Sequence, residues 1–285
     1  MAVGDTVIHD SVFTYCGAHY HYFKINITPW ISYEYLLNTP TMPSVFRVGN
    51  VRSVTMLNCV FDYYDVNGFI EVNTLVRDTG AGFFNGTSHI TIKDSIFILN
   101  KNDISFPLAS NGLITIDNEA NLTFIGNTFH GNNINPGIPF LHINSNETSC
   151  MDGNSIYGYA LHLESGKVTS CHKPDIINID ADTCSHGSLG FIDKEMDNYD
   201  TIDTFHAYNE SIPIFSSNYS SIIGLYNITF EIDTEYSVPL NEYTHGNMNL
   251  FNVKFQMNDK INIDDLLPFN SDSHVTCYQV HNEIP

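Results

Sequence analysis

The chain is predicted to be all-β, a single right-handed parallel β-helix of roughly ten rungs with lateral loop insertions, occupying residues 1–285 as one domain. Three observations carry this expectation. An eight-residue pattern, apolar–x–apolar–x–turn residue–x–x–Phe, recurs along the chain. A glycine-led apolar alternation lies between its copies. Two neighbouring stretches, Leu141 to Cys150 and Leu161 to Cys171, match closely in register.

The first pattern reads Thr6-Val-Ile8-His-Asp10-Ser-Val-Phe13, Val54-Thr-Met56-Leu-Asn58-Cys-Val-Phe61 and Ile90-Thr-Ile92-Lys-Asp94-Ser-Ile-Phe97. It continues as Leu122-Thr-Phe124-Ile-Gly126-Asn-Thr-Phe129, Ile223-Gly-Leu225-Tyr-Asn227-Ile-Thr-Phe230 and Met248-Asn-Leu250-Phe-Asn252-Val-Lys-Phe255, with a weaker copy at Cys150-Met-Asp-Gly-Asn154-Ser-Ile-Tyr157. Apolar residues two apart share one face of a strand. Asn, Asp and Gly tolerate the left-handed backbone that bends a strand sharply. The pattern therefore predicts two short strands around a corner at Asn58, Asp94, Gly126, Asn154, Asn227 and Asn252. It also predicts one buried aromatic column of Phe13, Phe61, Phe97, Phe129, Tyr157, Phe230 and Phe255.

The second pattern supplies a third strand: Gly68-Phe-Ile-Glu71-Val72, Gly112-Leu-Ile-Thr115-Ile116, Gly158-Tyr-Ala-Leu161-His162-Leu163 and Gly190-Phe-Ile-Asp193. Pro139-Phe-Leu141-His142-Ile143 is the same without the glycine. Glu71, Thr115, His142 and His162 then share one outward position in successive rungs, about 4.8 Å apart. Imidazoles at that spacing suit a metal or a sugar-binding face; the plainer reading is an exposed ladder with no ligand. Cys150 and Cys171 also stack, within reach of a disulfide. The alternatives are free thiols or a Cys171–Cys184 pair. The one extra residue of the second stretch is assigned to Val168.

Composition narrows the partners. With 42% hydrophobic residues, including 19 Phe and 16 Tyr, the chain can bury a core. Its 11 basic and 32 acidic residues give a formal net charge of −21. Phosphate contacts need Lys and Arg, so nucleic acid is excluded as a partner. No apolar run is long enough for a transmembrane segment, and no signal peptide is visible at Met1. Sequons stand at Asn26, Asn85, Asn121, Asn146, Asn209, Asn218 and Asn227, so N-linked glycans are expected on these. Six cysteines fit an oxidising compartment. The expected location is extracellular or cell-surface.

Two stretches break the repeat. Residues 14–50 hold Tyr15, His19, His21 and the single Trp30 and read as a long excursion or a cap. Residues 193–221 read as an acidic lateral loop. Asp180, Asp182, Asp193, Asp197 and Asp200 suit a hard cation such as Ca²⁺, although their spacing does not match an EF-hand loop; the alternative is a solvated acidic loop. No other cofactor is expected. Val275-Thr-Cys277 begins a rung that Pro285 does not finish, and an open solenoid end is an edge that invites a second copy. A homo-oligomer or fibre partner at the solenoid ends is therefore expected.

The tetrapeptides Phe97-Ile-Leu-Asn100, Phe129-His-Gly-Asn132 and Phe255-Gln-Met-Asn258 resemble the repeats of polymorphic-membrane-protein-like surface proteins, which share the right-handed β-helix. The resemblance covers residues 6–13, 54–160 and 223–258, without the Gly-Gly-Ala-Ile run usual beside it. It implies an exported structural or adhesive protein and no chemistry of its own. His186-Gly187-Ser188-Leu189-Gly190, after Cys184, resembles a stretch of polygalacturonases, glycosidases of the pectin-lyase-like fold. That likeness implies a carbohydrate-active hydrolase or lyase, or a non-catalytic sugar-binding module. The family's Asn-Thr-Asp segment and Asp-Asp pair have no counterpart here, though Asp180 and Asp182 lie nearby, and hydrolysis needs two placed carboxylates. The expectation is no catalytic activity.

Overall fold

The structure is a computed structural model. It describes residues 5–16, 46–48, 52–64, 70–73, 88–99, 112–131, 139–172, 201–207, 213–218, 221–233, 246–257, 266 and 274–283. Among these, the first strands are β1 (Asp5–His9), β2 (Val12–Cys16), β3 (Phe46–Val48), β4 (Ser53–Leu57), β5 (Val60–Tyr64) and β6 (Ile70–Asn73). There follow β7 (Ser88–Lys93), β8 (Ile96–Leu99), β9 (Ile114–Asn118), β10 (Ala120–Ile125), β11 (Thr128–Gly131), β12 (Leu141–Asp152) and β13 (Ser155–Tyr157). The last are β14 (Leu161–Ser170), β15 (Asp203–Ala207), β16 (Phe215–Ser217), β17 (Ile222–Ile232), β18 (Asn247–Gln256) and β19 (His274–Glu283). No helix among the described residues is long and apolar enough to cross a membrane.

All the strands belong to one 19-stranded sheet, and their pairings are parallel. Three ladders run through it. The first is β1–β4–β7–β10–β12–β14–β17–β18–β19. The second is β2–β5–β8–β11–β13–β15–β17, continued by the distal halves of β18 and β19. The third is β3–β6–β9–β12–β14–β16. Strands β12 and β14 are long enough to serve the third ladder with their first half and the first ladder with their second. Parallel neighbours cannot be joined by a tight hairpin. Here the connection is the rest of a turn of the chain, an arrangement consistent with a solenoid.

Alternation sets the faces. In β4 and β10, buried and partly exposed residues alternate, with Val54, Met56, Leu122 and Phe124 inward. The aromatic column forms: Phe13 stacks on Phe61 at 4.8 Å and Phe61 on Phe97 at 4.7 Å. Phe129 aligns with Phe97, and Phe140 packs against both. Lower in the column, Phe205, Phe230 and Phe255 succeed one another in register.

The corner also forms. Asp10, Asn58, Asp94, Asn227 and Asn252 have φ of 49–54°, and Gly126 has φ 65°. The weak copy is displaced by one residue from the expected alignment. Gly153 takes the left-handed position, because it has no Cβ to clash there; Asn154 therefore lies just beyond the corner. A one-residue slip exchanges faces. Ile156 pairs with Phe129 inside, and Tyr157 points outward onto His206.

Two expectations about segments are corrected. Thr14, Tyr15 and Cys16 belong to β2 and residues 46–48 to β3, so the excursion or cap expected over 14–50 is at most the part between them, outside the described residues. Within 193–221, strands β15 and β16 join the ladders. Asp203-Thr-Phe-His-Ala207 alternates with Phe205 and Ala207 fully inward, and that apolar alternation outweighs the acidic surroundings.

Candidate functional site

The third ladder brings the expected outward residues into one row: Glu71 beside Thr115, Thr115 beside His142, and His142 beside His162. Ser216 extends the row below His162. The row is not the exposed ladder that alternation implies. Thr115 and Ser216 are buried, and His142 is only 3% exposed. Gly112 explains part of the crowding: a Cβ there would lie 2.6 Å from the Cβ of His142. Only glycine permits that approach.

The two imidazoles stack with centroids 5.1 Å apart and planes 9° from parallel. Glu164 joins them. From Leu141 to Ile143 the partners run Leu161, His162, Leu163; then Asn144 pairs with Ser165. Glu164 is thus skipped by the ladder, and a second shift in the opposite direction follows, with Thr148 opposite Lys167, so the expected single insertion at Val168 is replaced by two compensating irregularities. Bulges of this kind re-aim a side chain. The Glu164 Oε2 lies 3.2 Å from His142 Nε2, and the carboxylate side chain is 43% exposed. His162 Nδ1 contacts Ser216 Oγ, which also contacts the Tyr159 hydroxyl. One ligating atom from each of His142, His162 and Glu164 lies within 4.8 Å of the others. Burial, reinforced by the nearby His162, pushes the His142 pKa down to about 4. Burial also lowers His162, against the opposing pull of Glu164. Both rings are therefore held toward the neutral form.

A second outer cluster escaped the sequence reading. His206 Nδ1 contacts Glu231 Oε2 at 2.8 Å, its Nε2 meets Ser155 Oγ at 2.9 Å, and its ring stacks on Tyr157 at 3.9 Å. Burial lowers the His206 pKa, with Glu231 opposing. The cluster depends on the one-residue slip that turns Tyr157 outward.

The residues after the corners at Asp94, Gly126 and Gly153 form an internal polar ladder. Ser95 N donates to Asn127 Oδ1, Asn127 N to Asn154 Oδ1, and Asn154 N to Asp203 Oδ1. The amides of Asn127 and Asn154 also donate to the Ile92 and Phe124 carbonyls. Asp203 ends the run fully buried, and burial raises its pKa to about 7 despite the two Asn154 hydrogen bonds. Its Oδ2 has no partner among the described residues. The sequence signal was a polar residue one place after Asp94, Gly126 and Gly153.

Cys150 and Cys171 form a disulfide with Cα atoms 4.9 Å apart. The route differs from the expected alignment. Cys150 pairs with Thr169, and Cys171 reaches back at the bend after β14, where its N–H donates to the Met151 carbonyl. Asp152 and His172 are in contact beside the bond.

Among the sequons, Asn146 and Asn218 are exposed, and Asn121 is part-exposed with its Oδ1 beside His89 Nδ1. Asn227 is corrected. It is 5% exposed, and its Oδ1 accepts from Asn252 Nδ2 at 2.8 Å, so no glycan fits there in the folded chain. Asn26, Asn85 and Asn209, the acidic set Asp180, Asp182, Asp193, Asp197 and Asp200, and the His186 stretch lie outside the described residues.

No protein-family model matches the chain, and no curated protein or solved structure matches it either.

Proposed function

We propose that this protein is an exported structural or adhesive scaffold: a right-handed parallel β-helix of roughly ten rungs, glycosylated on its exposed sequons. The observation that carries the reading is the use made of outer side chains, which brace one strand to the next along the ladders. Ser53 Oγ donates to Asp5 Oδ1 at 2.8 Å, Asn58 Nδ2 to Asp10 Oδ1 at 2.7 Å, and Ser165 Oγ to Asn144 Oδ1 at 2.9 Å. His89 meets Asn121 at 3.0 Å. With an aromatic column and a polar ladder inside, these bonds make a stiff rod suited to display. The disulfide and the exposed Asn146 and Asn218 support an oxidising, extracellular setting. Further copies docking at the solenoid ends would extend the rod into a fibre.

The test is direct. Protein secreted from a eukaryotic host is assayed on plant and microbial polysaccharides and by light scattering. The scaffold reading expects no new reducing ends and no unsaturated products. Product release abolished by Asp180→Asn or Asp182→Asn would replace it with the carbohydrate-active enzyme.

A further inference from the structure

We propose that His142, His162 and Glu164 form a mononuclear site for a zinc-type divalent cation, with a fourth position open to water or a small ligand. The inference is independent of the scaffold reading and concerns the third ladder alone.

The donor set selects the metal. Two imidazole nitrogens and one carboxylate oxygen suit Zn²⁺ and its neighbours, whereas Ca²⁺ takes six to eight oxygens. Geometry is close to what such an ion needs. Bonds of about 2.0–2.1 Å in a tetrahedron place two ligand atoms about 3.3 Å apart. His142 Nε2 and Glu164 Oε2 already stand at 3.2 Å. The third ligand atom is within 4.8 Å of both, and binding would draw it in.

Two features prepare the residues for this role. Glu164 is two residues from His162 and shares its outward face; the ladder skips it, and its carboxylate stands beside His142. Ser216, backed by Tyr159, engages His162 Nδ1. In the tautomer where Nδ1–H donates to that hydroxyl, Nε2 keeps its lone pair for a metal, the outer-shell arrangement usual for ligating histidines.

The experiment titrates the metal-stripped full chain with Co²⁺ at neutral pH, followed by Zn²⁺ in competition. The expected result is one tetrahedral Co²⁺ per chain by its visible absorption, displaced by one equivalent of Zn²⁺. Glu164→Gln, at a part-exposed position, should retain the circular dichroism of the parent and lose affinity by more than the about 10–100-fold that loss of an outer-shell partner costs. His162→Gln should abolish the tetrahedral band. X-ray absorption on the Zn²⁺-loaded parent needs no variant and should show imidazole scattering from two histidines. A band unchanged by either substitution, the absence of tetrahedral Co²⁺, or an all-oxygen shell would overturn the site.

Discussion

Asp203 is an acid that burial shifts strongly. Its carboxyl is fully buried, with one oxygen held by Asn154 and the other without a partner among the described residues. In the unfolded chain it ionises near 3.8; in the folded chain burial holds the proton to about pH 7. The native state thus binds the extra proton between these values, and Asp203 makes stability fall as pH rises from about 4 to 7. His142 works the other way. Its pKa drops from 6.5 to about 4, so its contribution is complete above pH 6.5 and lost as pH falls toward 4. The two slopes oppose each other across pH 4 to 6.5. Asp203→Asn removes only the first. Denaturant melts should find it gaining on the parent by up to about 1.4 kcal/mol per pH unit between pH 4 and 7. A difference that does not change with pH would mean Asp203 is not the buried acid described.

Corners and columns act as elements, and each depends on a different property of its residues. At the corner the requirement is backbone conformation. Asn58 has φ 51°, which costs a β-branched residue about 1–2 kcal/mol. Asn58→Val should therefore lower the stability of the chain by about that much, whereas Asn58→Gly should stay near the parent, losing only the exposed bond to Asp10. In the column the requirement is volume. Phe97 is fully buried between Phe61 and Phe140, and Phe97→Ala should cost about 3–5 kcal/mol in equilibrium unfolding. An effect below about 1 kcal/mol would show that the column is not packed as described. The disulfide ties β12 to the bend after β14 across a separation of 21 residues. Its reduction should destabilise the chain by about 3 kcal/mol on the chain-entropy estimate, read as a shift in the urea midpoint with and without reductant.

For the whole molecule, a sheet that advances strand by strand in parallel puts long stretches of sequence on a few faces, and burial decides which of them meet the solvent. Sequon occupancy reports that division. In a secreting host, peptide mapping should find glycan on Asn146 and Asn218, which are exposed, and none on Asn227, whose amide carbonyl is tied to Asn252. A glycan on Asn227 of the folded protein would contradict the burial of the β17 corner.

The sequence by itself determined the strand period, the left-handed corners, the aromatic column and the histidine pairing of β12 with β14. These are legible because each follows from a local property: alternation, tolerance of positive φ, or apolar volume at a fixed offset. Where a local rule had two solutions, only tertiary structure decided. Gly153 and Asn154 could both make the corner, and the neighbouring strands selected glycine, which moved Ile156 inward and created the Tyr157–His206 contact. The one-residue insertion expected at Val168 is replaced by two opposite register shifts, the first of which skips Glu164, whose carboxylate stands beside His142. Alternation said His142 faces outward, but it carries no information about what packs above an outward face, and burial of that ring is a property of the assembled chain. Strand β15 hid in acidic sequence because two inward residues, Phe205 and Ala207, are too short a signal until the ladder on either side supplies their partners.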